Sequence, residues 1–157
     1  MKQDRFLIGI LVFIGLLVIT ALVLFFVRQD IPQYGPEDTP EGVVRNYALA
    51  VHQRDFARAY GYLAELDDKP TYDSFVQAFL SNQLDTSNNA LQVGETQTLG
   101  GEEAWVTVTV LYGSSGPFSD RWSSSETARL VLQNGAWKIT YLPYPYWGWD
   151  WYQPLEP

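Results

Sequence analysis

The chain has 157 residues, with 18 acidic against 10 basic side chains, a net charge of −8, a single histidine and no cysteine. Those totals exclude disulfides, thiolate metal centres and a cysteine nucleophile. With no basic cluster anywhere, they also set nucleic acid aside as a partner.

Residues 6–27 read FLIGILVFIGLLVITALVLFFV, uncharged and apolar apart from Thr20 and two glycines. At about 1.5 Å of rise per residue, such a run matches a hydrocarbon core roughly 30 Å thick, with every backbone amide paired inside the helix. A cleaved signal peptide has a shorter apolar region and a lipoprotein signal needs a cysteine, so the pattern predicts an uncleaved single-pass anchor in the lipid bilayer. Lys2 and Arg5 on the short side, against Arg28 on the long side, predict a cytoplasmic tail at 1–5. The rest of the chain then stands outside the cytoplasmic membrane. Lys2, Asp4, Arg5 and Arg28 aside, 17 acids face 7 bases there, a net charge of about −10.

Residues 28–39 carry prolines, a glycine and acids and predict a linker. Thr39, Pro40 and Glu41 form a helix-start signal, followed at helical spacing by Val44, Tyr47, Ala48 and Val51. Asp55 is placed to cap a second helix carrying Phe56, Ala59, Tyr60 and Leu63. Thr71 opens a third, with Tyr72, Phe75, Val76, Phe79 and Leu80 on one stripe. Residues 82–89 read as a loop.

From Ala90 the period changes to alternation. Asn134-Gly135 is a two-residue hairpin signal. If Gln133 pairs with Ala136, then Leu132 faces Trp137, Leu130 faces Ile139 and Ala128 faces Tyr141, with Val131 and Lys138, and Arg129 and Thr140, on the other side. Gly100-Gly101 offers a second turn, pairing Val93 with Val108 and Leu91 with Val110. Residues 113–120 join the two hairpins as a loop. The expectation is an α+β fold: a single transmembrane helix, then three helices covering the apolar face of a four-stranded antiparallel meander.

The run PEGVVRNYALAVHQRDFARAYGYLA and the late strand GAWKI resemble the nuclear-transport-factor-2-like superfamily, in its membrane-anchored bacterial members. Val44, Tyr47, Ala50, Asp55, Phe56, Ala59, Tyr60, Leu63, Trp137 and Ile139 carry that resemblance, which spans residues 40–142. It implies a cone-shaped domain whose curved sheet leaves a mouth for a small ligand or partner segment, with Tyr47, Val51, Tyr60, Phe79 and Trp137 lining the cavity. It implies no reaction, since the superfamily holds enzymes, carriers and assembly subunits alike. Its enzyme branches use a cavity acid or an Asp/His pair, which has no clear equivalent here.

Candidate chemistry is sparse. His52 lies near a helix end and reads as solvent-facing, and Asp55 reads as a cap. Asp67, Asp68 and Asp73 lack the spacing of a calcium loop, and no metal or cofactor is expected. Tyr47 and Tyr60 carry hydroxyls that need partners if buried. In residues 143–157, Trp147, Trp149 and Trp151 alternate, so an extended backbone would set three indoles on one side for a partner or glycan, or against the bilayer. The default reading is that this tail folds back over the outer sheet or cone mouth and buries its rings. The expected function is a noncatalytic binding or protein-interaction module, in one version an envelope assembly component, with an unknown protein partner or small ligand and a possible homodimer. The alternatives are an isomerase- or dehydratase-type enzyme, or a glycan binder.

Overall fold

The computed structural model describes residues 4–27, 32–113 and 122–152, in two units that divide between Gln33 and Tyr34. The first is helix α1 (Asp4–Val27). Its stretch Phe6–Phe25 is long and apolar enough to cross a membrane, a property that anchors and signal sequences share. The Thr20 hydroxyl donates to the Leu16 carbonyl at 2.8 Å, so the polar side chain in this run is satisfied within its own helix.

The second unit holds helices α2 (Pro40–His52), α3 (Phe56–Gly61) and α4 (Tyr72–Leu80), then strands β1 (Asn89–Leu99), β2 (Glu103–Tyr112), β3 (Trp122–Gln133) and β4 (Ala136–Tyr141). The expected caps are in place: Thr39 accepts from the Gly42 amide, Asp55 from Arg58 and Thr71 from Ser74, each at 3.2 Å. The end of α2 is a Schellman closure. Arg54, at φ 59°, donates to the Val51 carbonyl and Asp55 to that of Ala50. The same Asp55 then caps α3, so the two helices are joined with almost no loop. Helix α3 is shorter than its apolar period suggests. Leu63 leaves it and forms a parallel bridge with Ile139, in which Ile139 N donates to Tyr62 O at 2.8 Å and Ala64 N to Ile139 O at 2.9 Å. That segment covers the free edge of β4, a position where unpaired backbone would otherwise face solvent.

The sheet is an open antiparallel meander in the order β1-β2-β3-β4. At the Asn134-Gly135 turn both residues have positive φ, 52° and 78°, and Gln133 pairs with Ala136, Leu132 with Trp137, Val131 with Lys138 and Leu130 with Ile139. Further out, the expected partners change. A bulge between Arg129 and Leu130 brings Tyr141 opposite Arg129 rather than Ala128. In the other hairpin Val93 does meet Val108 and Leu91 meets Val110, although Leu99 pairs with Glu103, so the turn is one residue longer than Gly100-Gly101 alone. An irregularity between Val93 and Thr96 restores the register. Gly94 sits there, where an added Cβ would lie 3.2 Å from the Thr107 carbonyl.

Bulges bend a strand and strengthen its twist. The consequence is visible at α2, which packs on β2 and on both edge strands, β1 and β4. Edge strands of a flat four-stranded sheet lie about 14 Å apart, so the sheet curls around this helix. Its inner face, Ala104, Val106, Val108, Val110, Ala128, Leu130 and Ile139, is buried, and α2 supplies Val43, Val44, Tyr47, Ala50 and Val51 to the same core.

The linker expectation is corrected at its far end. Asn46 is wholly buried; its amide accepts from Gly35 N at 2.8 Å and donates to Gly35 O at 2.9 Å. Glu37 accepts from both Arg58 and Tyr62 at 2.7 Å, and these bonds hold its carboxyl below the usual carboxylate range. The guanidinium of Arg58 lies 3.6 Å over the Tyr34 ring. Residues 34–39 therefore belong to the folded unit, because a buried amide side chain takes both polar groups of one backbone residue. Residues 1–3, 28–31, 114–121 and 153–157 lie outside the described part, and with them most of the expected cytoplasmic tail and of the expected loop at 113–120. Replacing Asn46 by alanine leaves the Gly35 amide and carbonyl without partners; we expect a loss of about 1–3 kcal/mol in urea unfolding.

Candidate functional site

After β4 the chain does not run on as an extended strand. Tyr146 N donates to Pro143 O at 3.0 Å and Trp151 N to Gly148 O at 3.2 Å, so the tail folds into successive turns. Gly148 is needed there: a Cβ on it would fall 2.5 Å from the Trp151 indole nitrogen, so only glycine lets that ring fold across the backbone.

The turns separate the three alternating tryptophans. Trp147 is 4% exposed and Trp151 6%, whereas Trp149 is 79% exposed. The expected folding-back of the tail is seen for Trp147 and Trp151, whose rings are buried, while Trp149 stays at the surface. Trp151 lies 5.2 Å from Phe75 and 6.2 Å from Phe79 between ring centres, and Trp147 lies 6.3 Å from Tyr47. The two buried indoles meet edge-on at 5.1 Å, and Tyr152 stacks on Trp147 at 5.6 Å. Tyr152 fastens the end of this segment, donating from its hydroxyl to Ala64 O at 2.6 Å and from its amide to Asp68 O at 3.2 Å.

The residues expected to line an open cone are therefore dispersed. Tyr47 is fully buried and donates to the Tyr146 carbonyl at 2.7 Å; burial pushes its hydroxyl far above the ordinary tyrosine range. Phe79 stacks on Phe56 at 5.7 Å, and with Val51 it borders a polar surface groove of about 430 Å³ beside His52, Arg54 and Asp85. Tyr60 is half-buried, donates to Pro70 O at 2.9 Å and carries Lys69 4.0 Å over its ring. Trp137 faces a different groove, of about 590 Å³, with Glu37, Arg58, Tyr62 and Lys138. Tyr146, Trp147 and Trp151 from the chain's own tail belong to the same buried core as the helices and the inner face of the sheet.

His52 is exposed, as expected near a helix end, and it also meets the tail. Its Nε2 lies 2.8 Å from the Tyr146 hydroxyl, which lies 3.3 Å from the Asn89 carbonyl. Which of His52 and Tyr146 donates in the shorter contact depends on the imidazole tautomer. Burial lowers the histidine pKa and raises that of Tyr146. The contact ties α2 to the tail. Among the described residues no group of His, Cys, Asp and Glu side chains could hold a metal ion.

At the outer side of the tail a cleft of about 330 Å³ is walled by Tyr141, Tyr144, Trp147, Trp149 and Trp151, with Gln83 on its rim. Tyr144 is 58% exposed. Tyr141, Tyr144 and Gln83 were not singled out by the sequence pattern. The aromatic density of YLPYPYW was a signal for the first two, whereas Gln83 is brought in by the turn after α4, where Leu84 N donates to Ala78 O at 2.9 Å.

No protein-family model and no curated protein matches the chain. Among solved structures it is similar to a SEC-C-motif-containing protein from Rhodopseudomonas palustris, with 15% identity, a TM-score of 0.47, and coverage of 67% of this chain and 77% of that one. It is similar also to a nuclear-transport-factor-2-like protein of unknown function from Shewanella oneidensis, with 14% identity, a TM-score of 0.46, and 62% and 88% coverage. A third is a Campylobacter jejuni protein described as a nuclear-transport-factor-2-like transpeptidase, with 17% identity, a TM-score of 0.45, and 64% and 96% coverage.

The arrangement of the indoles makes a contrast that urea unfolding reads directly. Trp151→Ala is expected to cost about 3–5 kcal/mol, as large-to-small core changes do. Trp149→Ala is expected to stay within about 0.5 kcal/mol of the parent. Equal losses at both positions would contradict the placement.

Proposed function

We propose that this chain is a noncatalytic binding or protein-interaction module, held at the cytoplasmic membrane by α1 with its second unit on the extracytoplasmic side. The observation that carries the noncatalytic part is the occupied interior. A reaction in a cone-shaped domain needs a cavity that admits substrate to an acid, base or nucleophile. Here Tyr146, Trp147 and Trp151 are part of the buried core shared by helices and sheet, and the hydroxyls of Tyr47 and Tyr146 are bonded to backbone carbonyls.

Binding is then a matter of the surface, where aromatic rings around Trp149 stand in an acidic domain. Envelope assembly fits such a module, since a partner or glycan would be met close to the bilayer. The membrane-anchored nuclear-transport-factor-2-like resemblance belongs to the same reading and rests on the order of three helices followed by a meander. Lys2 and Arg5 support the orientation.

The reading is tested on native membranes. The mature chain is expected to retain residues 1–28 by intact mass, to resist carbonate extraction, and to be cut by protease added from the extracytoplasmic side. A product beginning near Gln29, or release by carbonate, would overturn the anchored reading.

A further inference from the structure

The sheet has two edges, and the fold treats them differently. β4 is covered by the chain's own residues 62–64, with Leu63 opposite Ile139. β1 stands at the other end of the strand order, and no described strand pairs with its far side. In an antiparallel ladder every second residue turns its N–H and C=O away from the partner strand. Along residues 90–93 those groups make no bond outside the β1–β2 ladder among the described residues. The inner face shows the same gap. Val106, Val108 and Val110 of β2 are wholly buried, whereas Leu91 and Val93, paired with Val110 and Val108, are only half-buried. The irregularity at Gly94 ends this straight stretch, which from Asn89 to Val93 is roughly 16 Å long.

A groove of about 560 Å³ lies beside this edge, lined by Leu91, Val93 and Pro36 and, around the start of α2, by Asp38, Glu41 and Arg45. The edge itself selects the class of ligand. Its outward main-chain groups recur every two residues, about 6.7 Å apart, a repeat that another polypeptide backbone matches. The charges then select among polypeptides. Asp38 is exposed, Glu95 is exposed beside the irregularity, and Glu41 is fixed by accepting from Thr96 Oγ1 at 2.9 Å. Against these three acids stands Arg45, whose guanidinium lies against Gly35. A second copy of the chain would set the same acids against one another, in a protein of net charge −8, and facing like charges are costly. A segment carrying lysine or arginine gains where a second copy loses.

We propose that the free edge of β1 at Asn89–Val93, with the groove between it and the start of α2, receives an extended basic segment of a partner protein, which joins the sheet as a fifth strand. This rests on the reading of the chain as an interaction module and names the kind of partner that its surface fits. Main-chain bonds to β1 supply affinity, and apolar residues at alternate positions complete the cover over Leu91 and Val93. Lysine or arginine between them answers Asp38, Glu41 and Glu95. The partner would do at β1 what residues 62–64 do within the chain at β4.

The test uses the full chain in phosphatidylcholine nanodiscs, because anionic lipid would itself adsorb a cationic peptide. The probe is a dye-labelled, end-blocked peptide of about nine residues with alternating lysine and valine, followed by anisotropy up to about 1 mM against empty nanodiscs. Binding should saturate, and should weaken as salt rises from about 50 to about 300 mM. The same peptide with glutamate for lysine should not bind. Nor should the lysine peptide with every amide N-methylated, which has lost the donors that a strand needs. Asp38→Lys with Glu95→Lys, at two exposed positions, should weaken binding roughly fivefold with the unfolding midpoint unchanged. Hydrogen exchange should show added protection of residues 89–93 when the lysine peptide is bound, and none in β4.

The proposal fails if the lysine peptide does not bind, if it binds without protecting residues 89–93, or if the glutamate or N-methylated peptide binds as well. It fails also if residues 89–93 are protected without peptide in a dimer seen by sedimentation, which would give the edge to a second copy. Those results would remove this site and leave the module to bind through another surface. A chain cut near Gln29 or washed off by carbonate would do the reverse, overturning the anchored reading with the β1 edge intact.

Discussion

The phenol of Tyr47 projects from the middle of α2 into the buried core, and its hydroxyl donates to the carbonyl of Tyr146, ninety-nine residues later. A buried hydroxyl without an acceptor is costly, so Tyr47 can occupy the core only if the C-terminal segment is already folded over it. The dependence runs the other way as well. Among the described residues the tail after Tyr141 pairs with no strand. Instead Tyr47 donates to Tyr146 O, Tyr112 to Tyr144 O at 3.1 Å, and the Tyr152 amide to Asp68 O. Neither the helical layer nor the tail is complete alone.

That mutual requirement decides what the domain can do. A curved sheet wrapped around one long helix would, if left open, enclose a pocket suited to catalysis. The rings of Trp147 and Trp151, packed against Tyr47, Phe75 and Phe79, turn the same architecture into a filled core. The segment that closes the interior also carries exposed aromatic rings, Tyr144 and Trp149, on its outer side. Gly148 links the two roles, since it lets Trp151 turn inward while Trp149 turns out.

Much of this unit was readable from local chemistry. Thr39, Asp55 and Thr71 capped their helices because short oxygen-bearing side chains at those positions meet free amides whatever the tertiary context. The Asn134-Gly135 turn gave the adjoining register because positive φ at both central residues fits only one kind of hairpin. What escaped the sequence depended on partners far along the chain. The bulges at Gly94 and Arg129 change a register that alternation alone cannot see. Leu63 kept a helical spacing but is drawn to the edge of β4. Asn46 gave no sign that it would hold Gly35, and His52 none that it would meet Tyr146. The alternation of Trp147, Trp149 and Trp151 was real, but it implied an extended backbone only if the chain stayed extended, and the glycine between them allowed a turn.

The most direct check on the filled interior is a double-mutant cycle between Phe75 and Trp151, each changed to leucine singly and together and followed by urea unfolding. If the tail ring lies on α4 as described, the pair should show a coupling of about 0.5–1.5 kcal/mol, the range for aromatic pairs in contact. Strictly additive losses would mean that the two rings do not meet, and the account of a core closed by its own C-terminal segment would be wrong.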